Sequence, residues 1–286
     1  MVSGRLNAAD VPGLLRYVSI VAGVLALLLS VGFGLNLPWA TAIWPWPDGR
    51  LSYLFIGSVL AAMAIDFIWV GLSGEWGALA AGAVTAFIMA AGMAVYLFQL
   101  SGQPGRPNFT MLAVWLTVVA LSSVGVFFWS RRFAIRDRRP MPTLLKVSYA
   151  IFAVALLLAA VALILQAPTI FPWPLNPDSS VLFGWVFMGD AAYFLYALLN
   201  PRWHNARAQL LSFLVYDLFL ILPFLQLFPT INPDRLLSLV IYLAVIIYSG
   251  ALAVYYLFIN PRTSRWAVAE SPGSTTHESD LGALPE

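Results

Sequence analysis

The chain predicts an all-α integral membrane protein of eight transmembrane helices, built as two parallel four-helix repeats. Three observations carry that expectation. Hydrophobic residues make up 61% of the 286 and charged residues 10%, with a mean hydropathy of +0.84, outside the range of water-soluble domains. Stretches of about 20 mostly apolar residues, enough to cross roughly 30 Å of hydrocarbon as helix, occur eight times. The chain also repeats itself. Leu14, Leu15 and Arg16 recur as Leu144, Leu145 and Lys146, and Asn36 and Pro38 as Gln166 and Pro168, all displaced by 130 residues. The offset then falls to 127, with Pro45, Trp46 and Pro47 returning as Pro172, Trp173 and Pro174, Gly57 as Gly184, Trp76 as Trp203 and Gln99 as Gln226.

The first repeat, residues 1–130, holds spans at about 13–35, 51–72, 76–99 and 109–130. These are continuous apolar runs, not the ten-residue alternations of a β-barrel. The first exceeds 20 residues and lacks a small-residue cleavage site, which makes it a retained helix and not a signal peptide. A basic cytoplasmic linker, 131–142, precedes the second repeat, 143–263, whose spans cover 143–166, 180–199, 206–228 and 235–259. Residues 264–286 are rich in Ser, Gly, Thr and Glu, and predict a disordered cytoplasmic tail. Four spans per repeat is an even number, so both copies enter the membrane in one direction, related by an axis along its normal. Pro47 with Asp48, Pro107 with Asn108, Pro177 with Asp178 and Pro233 with Asp234 each precede a span. Their Asp and Asn side chains read as helix caps, with an outer cation site as the alternative.

Basic residues set topology. With both termini cytoplasmic, twelve of the fifteen Lys and Arg residues fall inside, and only Arg50, Arg106 and Arg235 outside. The net charge of +2 therefore reports orientation, and no folded basic domain surrounds the linker to suggest nucleic acid. Trp39, Trp44, Trp46 and Trp173 at the outer boundary, with Trp76, Trp129, Trp203 and Trp266 at the inner one, read as an aromatic belt. Trp46 and Trp173 sit in matching Pro-Trp-Pro loops, which either flank an outer entrance or anchor at the interface.

Inventory excludes several chemistries. Cysteine is absent, which removes disulfides and thiolate sites. The two histidines, His204 at an inner span end and His277 in the tail, cannot form an intramembrane haem pair, and His204 reads as interfacial. The sole lysine, Lys146, copies Arg16 at an inner span end and leaves no buried Schiff-base lysine. No HExxH, P-loop, GxSxG or dinucleotide fingerprint occurs. No cofactor and no metal site is expected.

Three carboxylates lie inside spans, where an ionised group costs a few kcal/mol and faces the bundle interior: Asp66, Asp190 and Asp217. Asp190 and Asp217 fall at similar depth in antiparallel neighbours, with Asp66 nearer the cytoplasm. Ala78, Gly82, Ala86, Ala90 and Ala94 form a small-residue stripe in the third span. Adding 127 gives Asn205, Gln209, Phe213, Asp217 and Ile221, which turns Gln209 and Asp217 toward protein. Asp190 replaces Met63, and Tyr193 lies one turn on, within reach of it. Asp190 and Asp217 are thus expected to share one buried polar cluster. It binds and releases a proton, or else serves as a structural hydrogen-bonded lock. The remaining polar residues within spans are mostly isolated Ser and Thr, which suits an apolar or amphipathic ligand, or protons alone.

The Pro-Trp-Pro elements at 45–47 and 172–174, the second running on through Asn176 to Pro177, resemble those of uncharacterised bacterial multi-span membrane proteins. That resemblance implies a bacterial cytoplasmic (inner) membrane location and no particular activity. Three function classes remain open. One is a small transporter with its site near mid-membrane between the halves; another is a non-catalytic scaffold or accessory subunit binding a protein partner. The third is an embedded enzyme acting on lipid, disfavoured because no acid, base and nucleophile converge at one depth.

Overall fold

The structure, a computed structural model, describes residue 11, residues 13–135 and residues 137–264. The tail expected to be disordered lies outside the described residues, apart from Ser264. Among the described residues eight helices are long and apolar enough to cross a membrane: α1 (Gly13–Gly34), α2 (Arg50–Ser73), α3 (Leu79–Ser101), α4 (Thr110–Ser130), α5 (Thr143–Ile164), α6 (Pro177–Leu199), α7 (Trp203–Leu225) and α8 (Leu236–Val254). Each lies within a few residues of its apolar run, because only a helix satisfies every backbone amide and carbonyl inside hydrocarbon.

The helices stand in two rows. Extensive packing joins α1 to α2, α2 to α7 and α7 to α8 in one row, and α4 to α3, α3 to α6 and α6 to α5 in the other. Each row thus takes two helices from each half of the chain. Missing side chains allow the close approaches. A Cβ on Gly57 of α2 would stand 2.9 Å from the Ser30 carbonyl oxygen of α1, and one on Gly184 of α6 would stand 2.9 Å from the Ala160 carbonyl oxygen of α5. Between α3 and α6, a Cβ on Gly189 would meet the Thr85 carbonyl oxygen at 2.9 Å. Membrane helices lack a hydrophobic drive toward one another and associate through such small-residue packing.

Helices α1 and α5 end alike. The amide of Leu37 bonds to the Gly32 carbonyl, and that of Asn36 to the Phe33 carbonyl. Ala167 bonds to Ala162 and Gln166 to Leu163 in the same way. Asn36 (φ 54°) and Gln166 (φ 59°) take the left-handed conformation such terminal turns require.

The rows are fastened at both ends by aromatic clusters. Toward one end Phe55 of α2 packs on Phe171, Phe183 and Phe187, and Phe171 packs on Trp173 and Tyr242. Toward the other end Phe213 of α7 packs on Phe152 of α5 and Phe194 of α6. The linker is pinned there as well. Met141 donates its amide to the Pro201 carbonyl (3.0 Å), Trp203 donates to the Arg139 carbonyl (2.8 Å), and Arg139 forms a bidentate pair with Asp137.

Several local expectations are corrected. Asn176, not Asp178, caps α6 by accepting the Asp178 amide at 3.0 Å, and Asn232, not Asp234, does the same for the turn before α8. Asn108 accepts the Thr110 amide at 2.9 Å, as expected of a capping side chain. Asp48 caps nothing, because Trp44, Ser179 and the Asn176 amide occupy its carboxylate. The belt reading also gives way for most tryptophans. Trp39 is 56% exposed, whereas Trp46, Trp76, Trp173 and Trp203 are buried in the ends of the bundle. His204 is buried with them. Trp266 and His277 lie outside the described residues.

Candidate functional site: a cavity between the two rows

Between the aromatic fastenings the rows part and leave a cavity of about 980 Å³. It reaches from α2, α7 and α8 on one side to α3, α4, α5 and α6 on the other. The composition of its wall follows from the sequence. Where rows must touch, α6 and α7 carry Phe187, Phe194 and Phe213; Asp190 stands between the two phenylalanines of α6, and Asp217 one turn beyond Phe213 on α7. Gly82 of α3 lines the cavity, and a Cβ built there meets nothing within 4 Å. The rest of the wall is mostly aliphatic and aromatic, with scattered polar side chains.

All five intramembrane candidates, Asp66, Asp190, Tyr193, Gln209 and Asp217, line this one cavity. Their partners differ. Asp217 of α7 accepts a hydrogen bond from Ser249 of α8 at 2.8 Å, and Asp66 of α2 accepts one from Ser212 of α7 at 2.8 Å. The other Asp66 oxygen, Oδ1, is buried without a hydrogen-bond partner. No described residue hydrogen-bonds to the side chain of Asp190 or of Gln209, although Gln209 is only 7% exposed. Asp190 lies within electrostatic range of Asp66 on one side and of Tyr216 and Tyr242 on the other. Asp190 and Asp217 share the chamber but make no hydrogen bond to each other.

Tyr193 does not turn to Asp190. Its hydroxyl donates to the Asn205 carbonyl of α7 at 3.0 Å, so the buried phenol ties α6 to α7. Sequence reasoning missed the hydrogen-bonded pair Tyr216 and Tyr242, which bridges α7 and α8 on the cavity wall. The only signal was the position of Tyr216 beside Asp217. Ser212 and Ser249 were visible as isolated polar residues, but their carboxylate partners were not.

The cavity reaches the lipid-facing surface at Val118 and Val126 of α4, which are 55% and 38% exposed, and again between α5 and α8. Leu158 of α5 and Ile241 of α8 line it while remaining 67% and 55% exposed. Both ends of this second gap are bridged: Ser148 of α5 and Tyr248 of α8 share a hydrogen bond of 2.7 Å, and Ser238 of α8 donates to the carbonyl of Thr169 in the loop after α5. The result is an opening framed at both ends and edged by aliphatic side chains.

The outer-loop candidates lie elsewhere. Trp46 is 6% exposed and donates to Asp178 at 3.0 Å; Trp173 is 4% exposed and donates to Ser52 at 3.0 Å. Among the described residues no group of three His, Asp or Glu side chains is placed to hold a metal ion. Compared with protein-family models, curated proteins and solved structures, the chain matches none.

Proposed function

We propose that this multi-pass membrane protein is a small transporter for an apolar or amphipathic solute, with Asp66, Asp190 and Asp217 as its solute- or proton-binding groups. One observation carries the reading: the three intramembrane carboxylates line a single cavity that also holds an unpaired amide, Gln209. A scaffold that used these acids as locks would have sealed them with side chains. Polar groups held in hydrocarbon at a cost of a few kcal/mol each mark solute and ion pathways. A volume of about 980 Å³ lies at the upper end of ordinary ligand pockets.

The proposal extends to origin and setting. The chain is read as two fused copies of a four-helix unit, in a bacterial cytoplasmic membrane with both termini inside. Exchanging α1 to α4 for α5 to α8 leaves the set of packed helix pairs unchanged and swaps the two rows. The matched ends of α1 and α5, and the matched approaches at Gly57 and Gly184, support the same reading.

The test uses Gly82→Phe, which fills the cavity without meeting a neighbour at its Cβ. Wild type and variant are purified from native membranes, and bound small molecules are compared by mass spectrometry. An apolar or amphipathic species held by wild type and missing from the variant is expected. Identical extracts from the two proteins would defeat the reading.

A further inference from the structure

The geometry points to an amphipathic organic cation as the solute, entering sideways from the lipid; this rests on the transporter reading above. Three carboxylates face the cavity, yet no Lys, Arg or His lines it among the described residues. The wall therefore contains no positive charge to balance them. Two features show binding capacity left over within the fold. Gln209 is more than nine-tenths buried, lines the cavity and has no hydrogen-bond partner, and Asp66 keeps one buried oxygen unsatisfied. Buried polar groups are ordinarily paired, so such vacancies suit a polar or positively charged group supplied from outside the chain.

The rest of the wall selects for more than charge. Around Asp190 and Asp217 stand Phe187, Phe194, Phe213, Tyr216 and Tyr242. Aromatic faces attract a desolvated cation through the ring quadrupole, and quaternary ammonium groups are recognised in this way. Away from the acids the wall turns aliphatic toward Leu158 and Ile241 at the lipid flank. A head bearing positive charge at the carboxylates, with an apolar body running out toward the lipid, matches both regions at once. An inorganic cation would leave the aliphatic portion without a purpose. An anionic amphiphile would place like charge beside three carboxylates.

The experiment uses the purified full chain in phosphatidylcholine nanodiscs, with binding to empty nanodiscs subtracted. Three probes of similar shape are compared: tetraphenylphosphonium, neutral triphenylphosphine oxide and tetraphenylborate. Saturable binding of tetraphenylphosphonium, at least about tenfold tighter than either comparison probe, is expected. Asp190→Asn is expected to weaken the cation about tenfold or more and to narrow its preference over the neutral probe. Gly82→Phe should abolish binding of both probes. The charge preference is read within wild type, so it stands even if Asp190→Asn fails to fold. Neutral and cationic probes binding alike, or tetraphenylborate binding best, overturns the cation inference and leaves the cavity reading intact. No saturable binding by any of the three overturns both.

Discussion

The indole of Trp46 donates to the carboxylate of Asp178 at 3.0 Å, which ties the loop after α1 to the first turn of α6, 132 residues away. Trp173, from the matching loop of the second half, donates to Ser52 in the first turn of α2. Each loop therefore fastens the opposite half. Asp178 also accepts from Tyr96 of α3 (2.8 Å) and Arg106 (2.7 Å), which makes it the node of that end of the bundle. Replacing Asp178 with Ala strands two donors in a buried site, at an expected cost of roughly 2–4 kcal/mol. Trp173→Phe removes one hydrogen bond and should cost nearer about 1 kcal/mol. Thermal unfolding in detergent checks the order, and an Asp178→Ala protein as stable as wild type would show the node to be inert.

The close approaches at Gly57 and Gly184 should respond alike to a methyl group. A Cβ at Gly57 stands 2.9 Å from the Ser30 carbonyl oxygen; at Gly184 it stands 2.8 Å from Ile164 Cγ1 and 2.9 Å from the Ala160 carbonyl oxygen. Backbone cannot step aside as a flexible side chain can. Each Gly→Ala substitution is expected to destabilise by about 1–3 kcal/mol, the usual range for overpacking. Similar losses from the two single variants support the matched geometry, whereas loss at one site alone contradicts it.

The ends of α1 and α5 offer the opposite change. Asn36 and Gln166 both hold positive φ, which costs a residue with a Cβ more than it costs glycine, and costs Asn less than most because its short polar side chain tolerates the left-handed region. Gln166→Gly is expected to stabilise by about 0.5–1 kcal/mol, and Asn36→Gly by less. The comparison is made by melting the two single variants side by side, and a destabilised Gln166→Gly protein would refute the assignment of strain.

Asp137 in the linker carries a pH dependence. Burial pushes its carboxyl up, but hydrogen bonds from Arg139 and the charges of Arg139 and Arg207 outweigh burial and hold it below its ordinary value. A carboxyl depressed by folding contributes stability above its unfolded value of about 3.9, and that contribution is lost as pH falls through the folded value. Asp137→Asn should therefore lower stability at neutral pH by about 1 kcal/mol, since solvent screens the partly exposed Arg139. It should also flatten the acid limb of the stability profile. Acid limbs of equal slope in the two proteins would locate the dependence elsewhere.

Helix number, approximate helix ends and the burial of Gln209 and Asp217 were legible in the chain itself. Apolar length and the cost of an unpaired amide in lipid decide the first two, and the repeat register pointed to the third. Partnerships were not legible. Asp66 pairs with Ser212, 146 residues away, and Asp217 with Ser249, because α2 packs on α7 and α7 on α8. Helical periodicity says nothing of which helix stands beside which.

Hydropathy and spacing alone thus determined an eight-span helical protein with three acids held within its spans. Only tertiary structure decided that the helices form two rows with a gap between them, that Asp66 joins Asp190 and Asp217 at that gap, and that Tyr193 turns away to Asn205. The physical reason is range. Crossing hydrocarbon constrains each segment by its own composition, while a cavity exists only where the side chains of seven different helices fail to meet.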